Sequence, residues 1–112
     1  MLTVEQLLSH LGYHSYAKGD SGAAISGGYT SDLLSDVMGN AAEGSVLITI
    51  QAHKNSVAVA SLIGIHAIIL CNSRTPTEDM ITAAKQEEIA LIGTSESQFT
   101  ASFKVAKLLG LV

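Results

Sequence analysis

The chain has 112 residues, a length that supports one hydrophobic core and not two. Tryptophan is absent and only two phenylalanines and three tyrosines occur, so the core is expected to consist of Val, Ile, Leu and Ala, packed as helices on a parallel sheet. A formal charge of −4 with six scattered Lys and Arg excludes a basic stripe for nucleic acid, and the single cysteine, Cys71, excludes a disulfide framework and a cysteine metal cluster.

Thr3 and Gln6 form a capping box ahead of Val4, Leu7, Leu8 and Leu11, and Gly12 stops this first helix. From Tyr13 to Thr30 weak alternation and four glycines suit one or two short strands joined by a turn. Ser31 is expected to cap a second helix whose Leu33, Leu34, Val37, Met38 and Ala41 share one arc, with Asp32 and Asp36 together on the opposite side. The helix should end near Ala42.

Val46–Ile50 is a β-branched run of strand length, and Val57–Ile63 is apolar on nearly every side of a helical wheel. His66–Cys71 repeats the strand signal. Thr75, Pro76 and Glu78 then supply a cap, a first-turn proline and a capping-box partner. Ile89–Gly93 is a third strand, and Ser95 with Gln98 caps a helix that runs through Phe99, Phe103 and Leu109 to Gly110. Three strand–helix units in succession predict a single α/β domain over residues 1–112, a parallel-strand core of βα units with helices on both faces.

Ligands of open parallel sheets gather at the carboxyl ends of the strands. Three loops qualify: Gln51–Asn55, Asn72–Thr75 and Thr94–Ser97. Gln51, His53 and Asn55 alternate just before a helix start and could hold an anion or polar small molecule. The alternative is that Asn55 caps the helix while Gln51 and His53 satisfy neighbouring backbone groups. Arg74 beside Asn72 offers a bidentate contact to phosphate or carboxylate, with a solvated arginine as the plain alternative. Asp32 and Asp36, four apart, suit one cation or one protein partner surface, or else a solvated first turn.

No GxxxxGK[ST], GxGxxG or GxSxG spacing occurs, and the histidines lack ligand spacing. Neither a cofactor nor a metal is therefore expected, and no catalytic constellation is visible. A hydrolase or transferase using His53 as base would need a nucleophile or water brought to it by the fold. Met1–His10 reads as an amphipathic helix rather than a secretory leader, and no apolar run approaches the ~20 residues that span a bilayer. A cytoplasmic protein without a membrane partner is expected.

The stretch GGYTSDLLSDVMGNAAEGSVLITIQAHKNSVAVASL, Gly27–Leu62, resembles the DRTGG-domain family, and the closing ESQFTASFKVAKLLG fits it too. The DLLSDV and ITIQAHKN blocks are similar to the small stand-alone branch often encoded beside iron-only hydrogenase and redox-signalling genes. The resemblance implies a fold like the N-terminal domains of HPr kinase and of Mur ligases. It also implies a non-catalytic regulatory domain that commonly self-associates and, in some pyrophosphatases and phosphotransacetylases, accompanies nucleotide-sensing CBS pairs. The DRTGG pentapeptide itself is absent, so of the matching blocks only the Asp32, Gln51, His53 and Asn55 positions are carried over. The resulting expectation is a dimeric regulatory module for a nucleotide or other anionic metabolite, or else a protein–protein interaction module without a small-molecule ligand. The apolar Val57–Ile63 helix supplies a face for the second copy.

Overall fold

The computed structural model describes residues 1–112. The elements are β1 (Leu2–Thr3), α1 (Val4–Leu11), β2 (His14–Lys18), β3 (Ala24–Ile25), β4 (Gly27–Thr30), α2 (Leu34–Asn40), β5 (Ser45–Thr49), α3 (Lys54–Ile63), β6 (Ala67–Leu70), α4 (Glu78–Gln86), β7 (Ala90–Gly93) and α5 (Gln98–Leu108). Every residue of β5, β6 and β7 is buried, as apolar runs covered on both faces must be. The capping box of α1 forms with both of its bonds, and Gly12 ends the helix at φ 66°.

One five-stranded sheet has the order β2-β7-β6-β5-β4, in which β4 to β7 run parallel and β2 pairs antiparallel with β7. β1 and β3 form a separate antiparallel pair. Side chains alternate across the sheet. Val46, Ile48, Ala67, Ile69, Ala90 and Ile92 meet Val4 and Leu7 of α1 and Ala101 and Val105 of α5. Leu47, Ile68, Leu70 and Leu91 meet Val37 of α2, Val57 and Ala60 of α3, and Met80 and Ala84 of α4. Steady one-way progress from β4 to β7 with right-handed crossovers puts α2, α3 and α4 on one face. Each fully buried Ile or Leu stabilises this sandwich by about 1.5–3 kcal/mol.

Several local expectations are corrected. The stretch from Tyr13 to Thr30 holds three strands, with β2 and β4 at opposite edges of the sheet rather than joined as a hairpin. Helix α2 starts later than expected: Leu33 is its N-cap, and Ser31 instead exchanges short-range bonds with the Leu33 backbone. Asp32 therefore lies outside the helix, and Asp32 and Asp36 do not share a helical face. The caps of α4 and α5 are Thr77 and Ser97, each two residues beyond the expected Thr75 and Ser95. In α3 Val57 and Ala60 are buried, and the outward side of Val57–Ile63 carries Ala58, Ser61 and the exposed Leu62, with Lys54 and Asn55 outward in the first turn of the helix.

Candidate functional site

The carboxyl ends of β6 and β7 are where the fold changes face. After β6 the chain turns to α4 on one side of the sheet, and after β7 it turns to α5 on the other. Adjacent parallel strands whose connections diverge leave a crevice between them. Here it has a volume of about 220 Å³ and is lined by Tyr16, Ser73, Arg74, Gly93, Thr94 and Ser95.

The two loops that frame this crevice are bonded to each other. Asn72 N–H donates to the Glu96 carbonyl and Ser73 N–H to the Thr94 carbonyl, both at 2.9 Å. To make these bonds Asn72 and Ser73 take φ values of 58° and 57°. Asparagine tolerates this left-handed region, whereas serine does so at a cost of roughly 1–3 kcal/mol, a strain characteristic of ligand sites. The turn projects Arg74 outward. Its guanidinium has no hydrogen bond or ion pair, the sole salt bridge being Lys104 to Glu96.

Tyr16 comes from the opposite strand. The ladder between β2 and β7 shifts register between Ser15 and Ala17, so Tyr16 is the extra residue of a bulge, a device that re-aims a side chain beside a site. Its ring lies over Gly93, where an added Cβ would stand 3.0 Å from Tyr16 Cε2, and packs edge-on to His14 with centroids 4.6 Å apart.

Behind the crevice lies a polar cluster. Tyr13 donates its hydroxyl to Glu96 Oε1, and Lys104 Nζ stands 2.6 Å from Glu96 Oε2. Lys104, then the Tyr13 hydroxyl, hold the Glu96 carboxyl below its usual range. Burial, reinforced by Glu96, pushes the Tyr13 phenol well above its own. The Cys71 thiol is pushed up to about 11, by burial first and then by the negative charges of Asp32 and Glu96.

A second network closes the ends of β4 and β5. Asp32 Oδ1 accepts from Thr49 Oγ1 at 3.1 Å, from Ile50 N–H at 3.0 Å and from Gln98 Nε2 at 2.9 Å. Gln51 turns back on the same loop, its side-chain amide donating to the Asp32 carbonyl at 2.8 Å, while Ser56 donates to the Gln51 carbonyl.

The residues singled out from sequence therefore fall in different places. Asn72 and Arg74 belong to one turn at the crevice, with Thr94 and Ser95 across from it. Gln51 is joined to Asp32. His53 is the N-cap of α3, its Nδ1 accepting from Asn55 N–H at 3.1 Å, so the cap is the histidine and not Asn55. Asn55 lines a separate groove between α3 and α4 with Lys54, Ala83 and Glu87. Asp36 accepts from the Tyr29 hydroxyl and from Asn40 Nδ2, and the Tyr29 bond is the main cause of its lowered carboxyl pKa. Ser73 lies in the expected loop Asn72–Thr75 and Gly93 at the end of the expected strand, whereas Tyr16 has no signal in the sequence, because nothing near it reveals that β2 pairs with β7. No three His, Cys, Asp or Glu side chains converge.

No family model matches the chain, and no curated protein does. Among solved structures it is similar to the CBS and DRTGG domains of the regulatory region of Clostridium perfringens pyrophosphatase, complexed with its activator diadenosine tetraphosphate. The TM-score is 0.68 at 19% identity, over 92% of this chain and 45% of that one. The fold is DRTGG-like. This chain spans less than half the length of that neighbour, and the likeness is one of fold. No helix is long and apolar enough to cross a membrane.

Proposed function

We propose that this chain is a non-catalytic regulatory module that binds an anionic metabolite in the crevice between the β6–α4 and β7–α5 loops, and that it acts as a dimer. The observation that carries the reading is Arg74, an exposed and unpaired guanidinium on a strained turn at the point where the connections diverge. A planar guanidinium binds phosphate or carboxylate through two parallel charge-assisted bonds. The hydroxyls of Ser73, Thr94 and Ser95 supply further donors around the same space.

Size narrows the ligand. At about 220 Å³ the crevice is smaller than the ~300 Å³ at which pockets begin to enclose whole drug-sized molecules. A phosphoryl or pyrophosphoryl group fits inside, and a nucleoside attached to it would extend over Tyr16 and the rim. The neighbour's complex with diadenosine tetraphosphate is in keeping with such a ligand. The sequence resemblance points to redox- and hydrogenase-related metabolism as the setting.

A thermal-shift series with ATP, ADP, diadenosine tetraphosphate, pyrophosphate and phosphate tests the reading. A ligand at a hundred times its Kd stabilises the folded state by about 2.7 kcal/mol, an easily measured rise in midpoint. The expected result is a rise with at least one phosphoryl compound that Arg74→Ala abolishes. No rise with any of them counts against the proposal.

A further inference from the structure

The turn that carries Arg74 is held in the less favoured of two backbone forms. Arg74 N–H donates to the Cys71 carbonyl at 3.2 Å across two residues of positive φ, Asn72 and Ser73, which is the signature of a type I′ turn. Such turns favour glycine at the second central position, where this chain has Ser73. The mirror-image type I turn closes the same four residues with negative φ at both, and it suits asparagine and serine. Backbone preference alone weighs against the observed form by roughly 5- to 150-fold at the serine.

What selects this form lies outside the turn. Both central N–H groups are aimed at the β7–α5 loop, Ser73 at the Thr94 carbonyl and Asn72 at the Glu96 carbonyl. The mirror-image turn would swing them away. Thr94 is fixed by the sheet, its own N–H donating to the Leu70 carbonyl at 2.9 Å. Glu96 belongs neither to β7 nor to α5, and it is fixed by its side chain, with Oε1 accepting from the Tyr13 hydroxyl and Oε2 from Lys104 Nζ. Lys104 Nζ also stands 5.9 Å from the centre of the Tyr13 ring, which closes the triangle. The side chains of Lys104 and Glu96 are 44% and 31% exposed, so this ion pair is in contact with water and can be released without opening the core.

We propose that Glu96 is the positioning residue of the crevice: latched by Tyr13 and Lys104, it holds the Asn72–Ser73 turn in the form that presents Arg74, and release of the latch lets the turn relax and lowers the affinity for anions. This control rests on the anion-binding reading of the crevice above. A turn that is only partly in the competent form binds more weakly by the fraction that remains competent. Neither Tyr13 nor Lys104 lines the crevice, so both act through the turn and not by touching the ligand.

Isothermal titration of the full chain with pyrophosphate and with ATP tests the latch, with circular dichroism to confirm folding. Lys104→Met should weaken binding about tenfold, and Tyr13→Phe, which changes no charge, several-fold. Lys107→Met removes the same charge from the same helix without touching Glu96 and should stay within about twofold of the wild type, since exposed charges act weakly through salt. In a Ser73→Gly background, where positive φ costs nothing, the loss caused by Lys104→Met should shrink to about twofold. Amide exchange at Asn72 and Ser73 should quicken in Lys104→Met and Tyr13→Phe. A wild type that binds neither compound overturns the crevice reading and the latch with it. Binding undiminished in both latch variants, or diminished by the same factor with and without Ser73→Gly, overturns the latch and leaves the crevice reading standing.

Discussion

The side-chain amide of Gln98 donates to the Asp32 carboxylate at 2.9 Å, joining the first turn of α5 to the loop that leaves β4. The two residues are 66 positions apart in sequence. The same oxygen also receives Thr49, whose residue is fully buried, and the Ile50 N–H. Asp32→Ala should therefore cost about 2 kcal/mol in urea unfolding, since hydrogen bonds to charged groups are worth roughly 1.5–3 kcal/mol and the donors left behind are partly buried. Gln98→Ala should cost about 1 kcal/mol, and the double variant less than the sum. A merely solvated first-turn aspartate would give a few tenths for Asp32→Ala and additivity in the double variant.

Acid should release the Tyr13–Glu96–Lys104 cluster. The Glu96 carboxyl is held below its ordinary value of 4.5, so its contribution is present above that value and disappears as pH falls through the folded-state pKa. The wild-type thermal midpoint should fall more steeply between about pH 5 and pH 3 than that of Glu96→Gln. Parallel curves for the two proteins would show that the cluster contributes nothing.

The parallel core was legible because β5, β6 and β7 are short β-branched runs and the helices between them carry local signals, such as the capping box at Thr3 and Gln6. Two caps were misplaced by two residues. Threonines and serines crowd those turns, and the choice of Thr77 over Thr75 and Ser97 over Ser95 is made by how the loops pack. β4 was hidden because its glycines carry no β propensity and its order comes from pairing with β5. Of the site, Asn72, Arg74, Thr94 and Ser95 could be read from their position after strands. Tyr16 could not, since its place depends on a non-local antiparallel pairing and a bulge.

Cys71 should be inert in the folded protein. Raising its thiol from 9.0 to about 11 lowers the thiolate fraction at pH 8 by about two orders of magnitude, and the side chain is fully buried besides. Iodoacetamide at pH 8 should modify it at least about a hundredfold more slowly in native protein than in strong denaturant. Comparable rates would mean that the strand end opens freely.

Gly93 is expected to set the width of the crevice. In Gly93→Ala the new methyl meets the Tyr16 ring at 3.0 Å, so the ring must shift, at a cost of about 1 kcal/mol on the scale of mild overpacking. The cost should shrink in a Tyr16→Ala background, where nothing opposes the methyl. An equal cost in both backgrounds in urea unfolding would show that the ring is not the obstacle.

The crevice itself is tested most directly by a ¹H–¹⁵N NMR titration of the full chain with the phosphoryl compound that gives the largest thermal shift, or with pyrophosphate if all respond alike. The expected result is a set of saturating shifts confined to Cys71–Thr75, Gly93–Ser97 and Tyr16, absent from Arg74→Ala at the same concentrations. Shifts centred instead on Gln51–Ser61, or unchanged by the loss of Arg74, would contradict it.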